Sequence, residues 1–342
     1  YITVGTTILI DDGLIEMVVQ EITDTDIICD VINGGPISNH KGVNVPGAEL
    51  SMPYLSEQDI SDIMFGCDMG FDFLAASFVR CKEDILSVRK IIEEHGSHMK
   101  IIAKIENMQG IHNLEGILEA SDGIMVARGD MGVEIPLEEV PVIQKRMIKM
   151  AESQGKQVIT ATQMLESMIH NTTPTRAEIT DVANAVFDGT SAVMLSGETA
   201  MGDHPDLVVK VMAKIIKQAE KDYFDMQMQD DGPYVVDTKD KTNAICDAAC
   251  TTARDLNAKA IIAVTKSGKT ARRVSKFRPV ESIVAATPET KTFHQLSLSW
   301  GVYPVLALNQ DNEEKLFTHA VDCAKQIDLV SKGDTVVITA GL

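Results

Sequence analysis

Charged side chains stand directly after two apolar runs near the middle of the chain. Lys104 and Glu106 follow the run 101–103, and Asp130 comes shortly after the run 124–127. Both runs are short enough to be strands buried on both faces, and residues at helical spacing separate them. In α/β enzymes, the residues that follow the strand ends form the site. We therefore expect one lysine and two carboxylates to face a common cavity.

The spacing of Lys104 and Glu106 predicts which way they point. Residues two apart on a strand share a face, so Ile105 should pack on the opposite side. A solvated ion pair on an edge strand would give the same pattern. The preceding run has no polar alternation, however, which favours an interior strand whose charges emerge at its end. Two carboxylates with open coordination positions suit Mg²⁺ or Mn²⁺.

Two further strand ends carry groups that could bind an anion. Gly129 and Gly132 flank Asp130, and glycines let backbone N–H groups approach a ligand closely. Taken alone, this motif is equally typical of a plain turn. Thr162 ends a later strand with a hydroxyl, although threonines in strands are commonly structural. The position of these residues beside Lys104 and Glu106 favours a shared site.

A polar loop near the C-terminus combines hydroxyls and cations. It follows a predicted strand and begins a helix, and its polar members are Thr265, Lys266, Ser267, Lys269 and Thr270. A nucleotide-binding P-loop would need a glycine at position 263, where this chain has Ala263. A phosphate site built from hydroxyls, N–H groups and a helix start remains sensible. An ordinary strand-to-helix turn is the alternative.

The elements that must position these residues change type along the chain. Residues 1–47 are β-rich, with hairpin turn signals at 11–13 and 33–35. After residue 53 strands alternate with helices, which implies parallel pairing through right-handed crossovers. These strands are predicted at 73–77, 101–106, 123–127, 158–162 and 192–196, with helices at 57–65, 84–94, 109–121, 139–154 and 205–220. Five strands are too few to close an eight-stranded barrel. Residues 221–242 are polar and rich in Asp and Gly, which is typical of a linker.

A second α/β unit is predicted after this linker. Its strands are expected at 260–264, 282–286, 303–307 and 335–339, and its outer helices at 243–256 and 312–326.

Composition restricts the classes of partner. The 342 residues carry a net charge of −19, which argues against a nucleic-acid surface or an anionic membrane. No apolar run approaches the length of a membrane span. The six cysteines include no CxxC pair, so we expect reduced structural thiols and a cytoplasmic protein.

Several segments, in their order along the chain, closely resemble the pyruvate kinase family. The matching segments are 11–15, 41–47, 76–78, 104–107, 125–130, 161–168, 174–178 and 194–200. The resemblance implies an α/β fold: a partial (β/α)₈ TIM barrel, the tail of an inserted β-barrel lid domain, and a C-terminal α/β domain. The expected divisions are 1–47 for the lid, 48–222 for barrel strands four to eight, 223–242 for the linker and 243–342 for the incomplete C-terminal domain.

The same resemblance implies an activity and roles for the site residues. The reaction would be phosphoryl transfer from phosphoenolpyruvate to ADP, giving pyruvate and ATP in glycolysis. Lys104 would lie at the transferring phosphoryl group, Glu106 and Asp130 would hold Mg²⁺, and Gly129 with Thr162 would contact the carboxylate end of the substrate. K⁺ is implied as well, with most of its ligands in strands that should precede Tyr1. The loop 265–270 resembles a sugar-phosphate effector site, and the family suggests a homotetramer.

Both ends of the chain look cut, so we expect this span alone to be inactive. Two rival functions stay open. One is another Mg²⁺-enolate barrel enzyme, such as an aldolase or lyase, and the other is a non-catalytic structural piece.

Overall fold

The computed structural model describes residues 2–11, 13–48, 52–227, 240–308 and 312–340. The N-terminal part is an antiparallel sheet in the order β3-β2-β1-β4. Its strands are β1 (Thr7–Ile10), β2 (Ile15–Ile22), β3 (Ile27–Asn33) and β4 (Val43–Asn44). The predicted β-rich start of the chain is therefore confirmed.

The two predicted hairpin turns of this sheet have different outcomes. Ile10 pairs with Ile15 and the Leu14 N–H donates to the Asp11 carbonyl, so a hairpin does form there, although Asp12 lies outside the described residues. The hairpin predicted at 33–35 is wrong. The strand after it, β4, pairs with β1 rather than with β3.

The turn that joins β2 to β3 lies earlier, at 23–26. There the Thr23 hydroxyl accepts the Asp26 N–H at 3.0 Å and the backbone closes between the same two residues. This is a polar Ser/Thr-type turn without glycine.

The middle of the chain forms a parallel sheet of five strands, β5-β6-β7-β8-β9, in sequence order. They are β5 (Phe73–Ala76), β6 (Lys100–Ile105), β7 (Gly123–Ala127), β8 (Gln157–Ala161) and β9 (Ala192–Val193). All five predicted strands are present. The last is shorter than predicted and ends at Val193, and by Ser196 the backbone N–H is donated to the Glu198 carboxylate at 2.8 Å.

Helices connect these strands. They are α1 (Glu57–Asp68), α2 (Lys82–Glu94), α3 (Met108–His112), α4 (Leu114–Ala120), α5 (Arg128–Glu134), α6 (Val140–Ser153), α7 (Arg176–Phe187), α8 (Gly197–Ala200) and α9 (Pro205–Gln227). The single helix predicted over 109–121 is two helices. They meet at the exposed Asn113, whose side chain donates to the Arg80 carbonyl at 2.9 Å.

The apolar residues of β6 divide between two cores. Ile101, Ala103 and Ile105 pack in the large cluster beneath the helices, whereas Ile102 belongs to a smaller cluster on the other face. Lys104 therefore shares the face of Ile102, as the alternation predicts.

The C-terminal unit has a four-stranded parallel sheet in the order β12-β11-β10-β13. Its strands are β10 (Ala260–Val264), β11 (Ser282–Thr287), β12 (Val302–Leu306) and β13 (Val336–Ala340), and its helices are α10 (Lys241–Asp255), α11 (Lys269–Lys276), α12 (Thr290–Leu296) and α13 (Glu313–Gln326). Buried clusters lie on both faces of the sheet. All four predicted strands are confirmed.

The predicted linker 223–242 is narrower in the structure. Helix α9 continues to Gln227, and α10 begins at Lys241 with the Asp240 side chain accepting the Thr242 N–H. The part of the prediction at 228–239 lies outside the described residues.

Polar contacts join the C-terminal unit to the five-stranded sheet. The Lys291 ammonium donates to the Gly70 carbonyl at 2.7 Å, and the Gln295 amide donates to the His98 carbonyl at 2.9 Å. At a second place the buried Arg278 guanidinium donates to the Gly189 carbonyl at 2.6 Å. These contacts dock the C-terminal unit on the end of the sheet where β5 and β6 begin.

Across the described residues, no helix has the length and apolar character needed to cross a bilayer. All six cysteines are free thiols, as predicted. Burial raises the pKa of Cys246 to about 11 and that of Cys250 to about 12, which keeps both thiols protonated and unreactive near neutral pH.

Candidate active site

Lys104 and Glu106 form an ion pair at the end of β6. The Lys104 Nζ lies 2.6 Å from the Glu106 Oε1, and the glutamate side chain is fully buried while the lysine remains partly exposed. The predicted common face of these two residues is therefore confirmed. Burial raises the pKa of Glu106, while the Lys104 ammonium acts in the opposite direction.

The end of β5 supports both members of this pair. The Ser77 hydroxyl accepts a hydrogen bond from the Lys104 Nζ at 2.9 Å. The next residue, Phe78, donates its backbone N–H to the Glu106 Oε2. Neighbouring strand ends thus hold the ammonium and the carboxylate in one arrangement.

The second carboxylate, Asp130, lies close enough to act on the first. Its charge adds to the rise in the pKa of Glu106. Asp130 also lies in the wall of a cavity of about 950 Å³, together with Ser77 and Phe78. Lys104 and Glu106 are not among the residues that line this cavity, so the predicted common cavity of one lysine and two carboxylates stays a prediction.

Glu106 and Asp130 supply the carboxylate oxygens that a hard divalent ion prefers. The buried Glu106 Oε1 has the Lys104 ammonium as its partner at 2.6 Å. A carboxylate oxygen has more than one lone pair, so this ion contact leaves room for a metal ion. The two residues fit an ion such as Mg²⁺ that takes substrate and water as its other ligands. Within the described ranges, no group of three or more His, Cys, Asp or Glu residues surrounds a metal position.

Gly129 and Thr162 come together as predicted, but they bond to each other. The Gly129 N–H donates to the Thr162 Oγ1 at 2.8 Å, and that hydroxyl donates to the Ala161 carbonyl at 2.6 Å. The Gly129 N–H is thus already partnered by protein. Thr162 has a φ of +68°, a left-handed conformation that is uncommon for a β-branched residue.

Arg128 fixes the backbone around this threonine. Its guanidinium donates to the Thr162 carbonyl at 2.6 Å and to the Asp181 carboxylate of α7 at 2.7 Å. A strained residue at a strand end, held by several hydrogen bonds, is typical of a functional site.

The polar loop at the end of β10 lies in the C-terminal unit. Lys266, Ser267 and Lys269 are exposed, whereas Thr265 and Thr270 are buried. Gly268 has a φ of +76° and directly precedes α11. The loop also lies between β11 and β13, where the strand order reverses and α/β sheets usually bind ligands.

Three features of the site were not predicted from the sequence. Phe78 has a left-handed backbone, its N–H donates to the Glu106 carboxylate, and the Tyr54 hydroxyl donates to the Ser77 carbonyl at 2.8 Å. Ser77, a hydroxyl residue at the end of a strand, was a weak signal for the two features of Phe78. Tyr54 belongs to a segment with no motif, so nothing in the sequence pointed to it.

Two family profiles and many known proteins match this chain. The profile of the family "Pyruvate kinase, barrel domain" matches residues 1–209, and that of "Pyruvate kinase, alpha/beta domain" matches residues 243–342. A pyruvate kinase from Clostridium acetobutylicum is 48% identical over 341 residues, which are 99% of this chain and 72% of that protein. One from Staphylococcus aureus is 48% identical over 343 residues, which are 100% of this chain and 58% of that protein.

The fold of the chain is also similar to that of a solved pyruvate kinase structure. The crystal structure of a pyruvate kinase from Cryptosporidium parvum superposes with a TM-score of 0.90 at 41% sequence identity. The superposition covers 99% of this chain and 71% of that one. The present chain therefore has the α/β fold of these enzymes, with barrel and α/β domains, and spans about three fifths to three quarters of the length of the relatives named here. Family profiles and relatives together show that the chain belongs to the pyruvate kinase family of phosphotransferases.

Proposed function

We propose that this chain carries the catalytic residues of a pyruvate kinase that transfers the phosphoryl group of phosphoenolpyruvate to ADP. The observation that carries the proposal is the Lys104–Glu106 ion pair, in which the buried Glu106 Oε1 lies 2.6 Å from the Lys104 Nζ. Family membership supports the reaction class. The nearby Asp130 and the contact between Gly129 and Thr162 support the same location for the site.

The resemblance to the family assigns a role to each residue. Lys104 places a positive charge beside the transferring phosphoryl group, where negative charge is redistributed in the transition state. Glu106 and Asp130 hold Mg²⁺, which when bound neutralises phosphoryl and enolate oxygens. Gly129 and Thr162 orient the carboxylate end of the substrate. The burial of Glu106 and its support by Phe78 keep this carboxylate in one orientation.

The proposal includes K⁺ as a second cation, with most of its ligands outside the present residues. It also includes the inactivity of this span by itself.

The reason for the inactivity is the open sheet. In the described part of the chain the five-stranded sheet ends at β5 and β9 without closing on itself, and open parallel edges leave backbone groups unpaired. The grouping of residues 48–222 as barrel strands four to eight, after the lid tail at 1–47, belongs to the same proposal.

Replacement of the lysine tests the assignment. In the complete enzyme, Lys104→Met should lower kcat about 10³-fold, since a neutral side chain cannot balance the charge that develops on the phosphoryl oxygens. Formation of pyruvate from phosphoenolpyruvate and ADP, with Mg²⁺ and K⁺ present, is the measurement. The matched control is Lys90→Met, which removes an exposed lysine of α2. Near-normal turnover in Lys104→Met would refute the proposal.

Two comparisons separate this function from its rivals. A lyase or aldolase would act on a pyruvate-like acid without ADP, so turnover that persists when ADP is omitted would favour that class. If the protein has a purely structural role, neither the 342-residue span nor the complete protein should form pyruvate. If the span is an inactive piece of a pyruvate kinase, the complete protein should form pyruvate and the span should not.

We also propose that the loop 265–270 binds the phosphate of a sugar-phosphate effector and that the enzyme is a homo-oligomer. For the effector, the support is the exposed cations Lys266 and Lys269 beside the reversal of strand order. For the oligomer, the support is family membership, together with apolar side chains that are largely exposed near the start of α6, Leu137 at 72% and Val142 at 70%.

A further inference from the structure

The peptide group between Ser77 and Phe78 is held at both of its ends. Its carbonyl accepts a hydrogen bond from the Tyr54 hydroxyl at 2.8 Å. Its N–H is donated to the buried Glu106 carboxylate. A rotation of this peptide would therefore break two hydrogen bonds, one on each side.

The orientation of this peptide needs such support because Phe78 is strained. It has a φ of +53°, which costs an ordinary residue free energy and persists only when surrounding contacts enforce it. The same turn carries the Ser77 hydroxyl that accepts the hydrogen bond from Lys104. The position of this turn thus determines where the Ser77 hydroxyl and the Phe78 N–H lie, and these two groups bind Lys104 and Glu106.

Tyr54 is itself fixed in place. The Arg80 guanidinium lies 5.7 Å from the centre of the tyrosine ring. Arg80 also donates to the Asp84 carboxylate and to the carbonyl of Met52, two residues before the tyrosine. Burial, together with the charges of Asp84 and Glu106, raises the pKa of Tyr54 well above its usual value, so the hydroxyl stays a donor.

We propose that Tyr54 is a positioning residue for catalysis, which locks the Ser77–Phe78 peptide and so fixes both the Lys104 ammonium and the Glu106 carboxylate. The catalytic part of this inference rests on the proposed function. The structural part, the lock on one peptide, stands independently. Tyr54 lies in the wall of the same cavity as Asp130, and the role proposed for it acts through the backbone of Ser77 and Phe78.

The kinetic test is Tyr54→Phe in the complete enzyme. This variant keeps the ring and removes only the hydroxyl, so kcat should fall about tenfold, the loss associated with one unmade hydrogen bond. The KM for phosphoenolpyruvate should stay within about twofold. The variant disturbs the position of Lys104, which acts on the transferring phosphoryl group and not on the carboxylate end of the substrate. Tyr303→Phe, at a half-exposed tyrosine of β12, is the matched control and should leave both constants unchanged.

A second measurement follows the hydrogen bonding of the Ser77–Phe78 peptide and does not depend on activity. Hydrogen–deuterium exchange should become about tenfold faster at the Phe78 amide in Tyr54→Phe, while the amides of β7 keep their protection. If the tyrosine acts through the turn, combining Tyr54→Phe with Ser77→Ala should reduce kcat by less than the product of the two separate reductions.

The outcomes are distinct. Unchanged exchange at Phe78 in Tyr54→Phe would overturn the lock, whatever the activity. Faster exchange with kcat within twofold of wild type would overturn the role in catalysis. A wild-type enzyme without pyruvate kinase activity would refute the proposed function, while the exchange experiment would still decide on the lock.

Discussion

Glu106 is a carboxylate without exposure to solvent. Its Oε1 lies 2.6 Å from the Lys104 ammonium, and its Oε2 accepts the Phe78 N–H. A buried carboxylate is tolerated only when such partners compensate for the water it has lost. At the scale of the residue, the charge of Glu106 therefore depends on Lys104 and Phe78.

Residue types and spacing predicted which side chains lie together. Lys104 and Glu106 share a face because strand residues two apart point the same way. Thr162 and Gly129 meet because both follow strand ends. Their roles toward substrate and metal stay predictions. The left-handed conformations of Phe78 and Thr162 were beyond prediction, since neither is a glycine and tertiary hydrogen bonds decide the backbone there.

Substitution of Thr162 tests the hydroxyl that links β8 to Gly129. Thr162→Ala removes an acceptor for the Gly129 N–H and a donor to the Ala161 carbonyl, so the free energy of unfolding should fall by about 1–3 kcal/mol. The KM for phosphoenolpyruvate should rise at least about tenfold if the hydroxyl also orients the substrate. Thr162→Ser keeps the hydroxyl and should stay close to wild type in both urea unfolding and KM. Equal effects of the two variants would contradict the assigned role.

At the scale of the element, Asp122 pins the start of β6 to its neighbours. One carboxylate oxygen accepts the Ile101 N–H at 3.0 Å and a hydrogen bond from Arg89 of α2 at 2.9 Å, and the other lies 3.0 Å from the Lys100 Nζ. Burial opposes ionisation of this group, but the N–H and the two cations outweigh it and hold the pKa of Asp122 below its usual value. The strand that carries Lys104 is thus fixed at its opposite end by a charged group.

The lowered pKa predicts how stability depends on pH. A carboxyl with a lower pKa in the folded than in the unfolded state stabilises the fold above its unfolded pKa of about 3.9. That contribution is lost as the pH falls through the folded pKa. Asp122→Asn should therefore lower the free energy of unfolding by about 1–3 kcal/mol at pH 7, with a deficit that shrinks below about pH 4. Urea unfolding across this range is the measurement, and Asp255→Asn, at an exposed aspartate of α10, is the control.

A deficit that stayed constant down to low pH would contradict this account. It would mean that the asparagine acts through packing rather than through charge.

The elements themselves were mostly predictable from sequence. The strands of the two parallel sheets are continuous apolar runs, which buried strands require, so their positions were correct to within a few residues. The errors fall where side chains override local preference. Asn113 lies at the break between two helices and bonds to the Arg80 carbonyl, and no hairpin forms at the glycines that follow β3 because β4 pairs with β1.

At the scale of the whole molecule, the docking of the C-terminal domain depends on a few polar side chains. Lys291 contacts the carbonyls of Gly70 and Phe71 and pairs with the Asp72 carboxylate at 3.2 Å. Lys291→Met should weaken this contact, so the first thermal transition should fall by roughly 2–4 °C and separate from the second. Differential scanning calorimetry is the measurement, and Lys315→Met, at an exposed lysine of α13, is the control. A single unshifted transition would show that the other interdomain contacts suffice.

Most acceptors on the barrel side of this junction are main-chain carbonyls, those of Gly70, Phe71, Asp72, His98 and Gly189. Every residue type has a main-chain carbonyl, so the residues that supply these acceptors can be substituted without removing the hydrogen bonds between the domains. Among the contacts of the described residues, the donors Lys291, Gln295 and Arg278 must be kept, and so must three barrel-side partners, Asp72, Glu152 and Gln157. A chimaera that joins this C-terminal domain to the barrel of a distant relative should therefore still assemble as one enzyme.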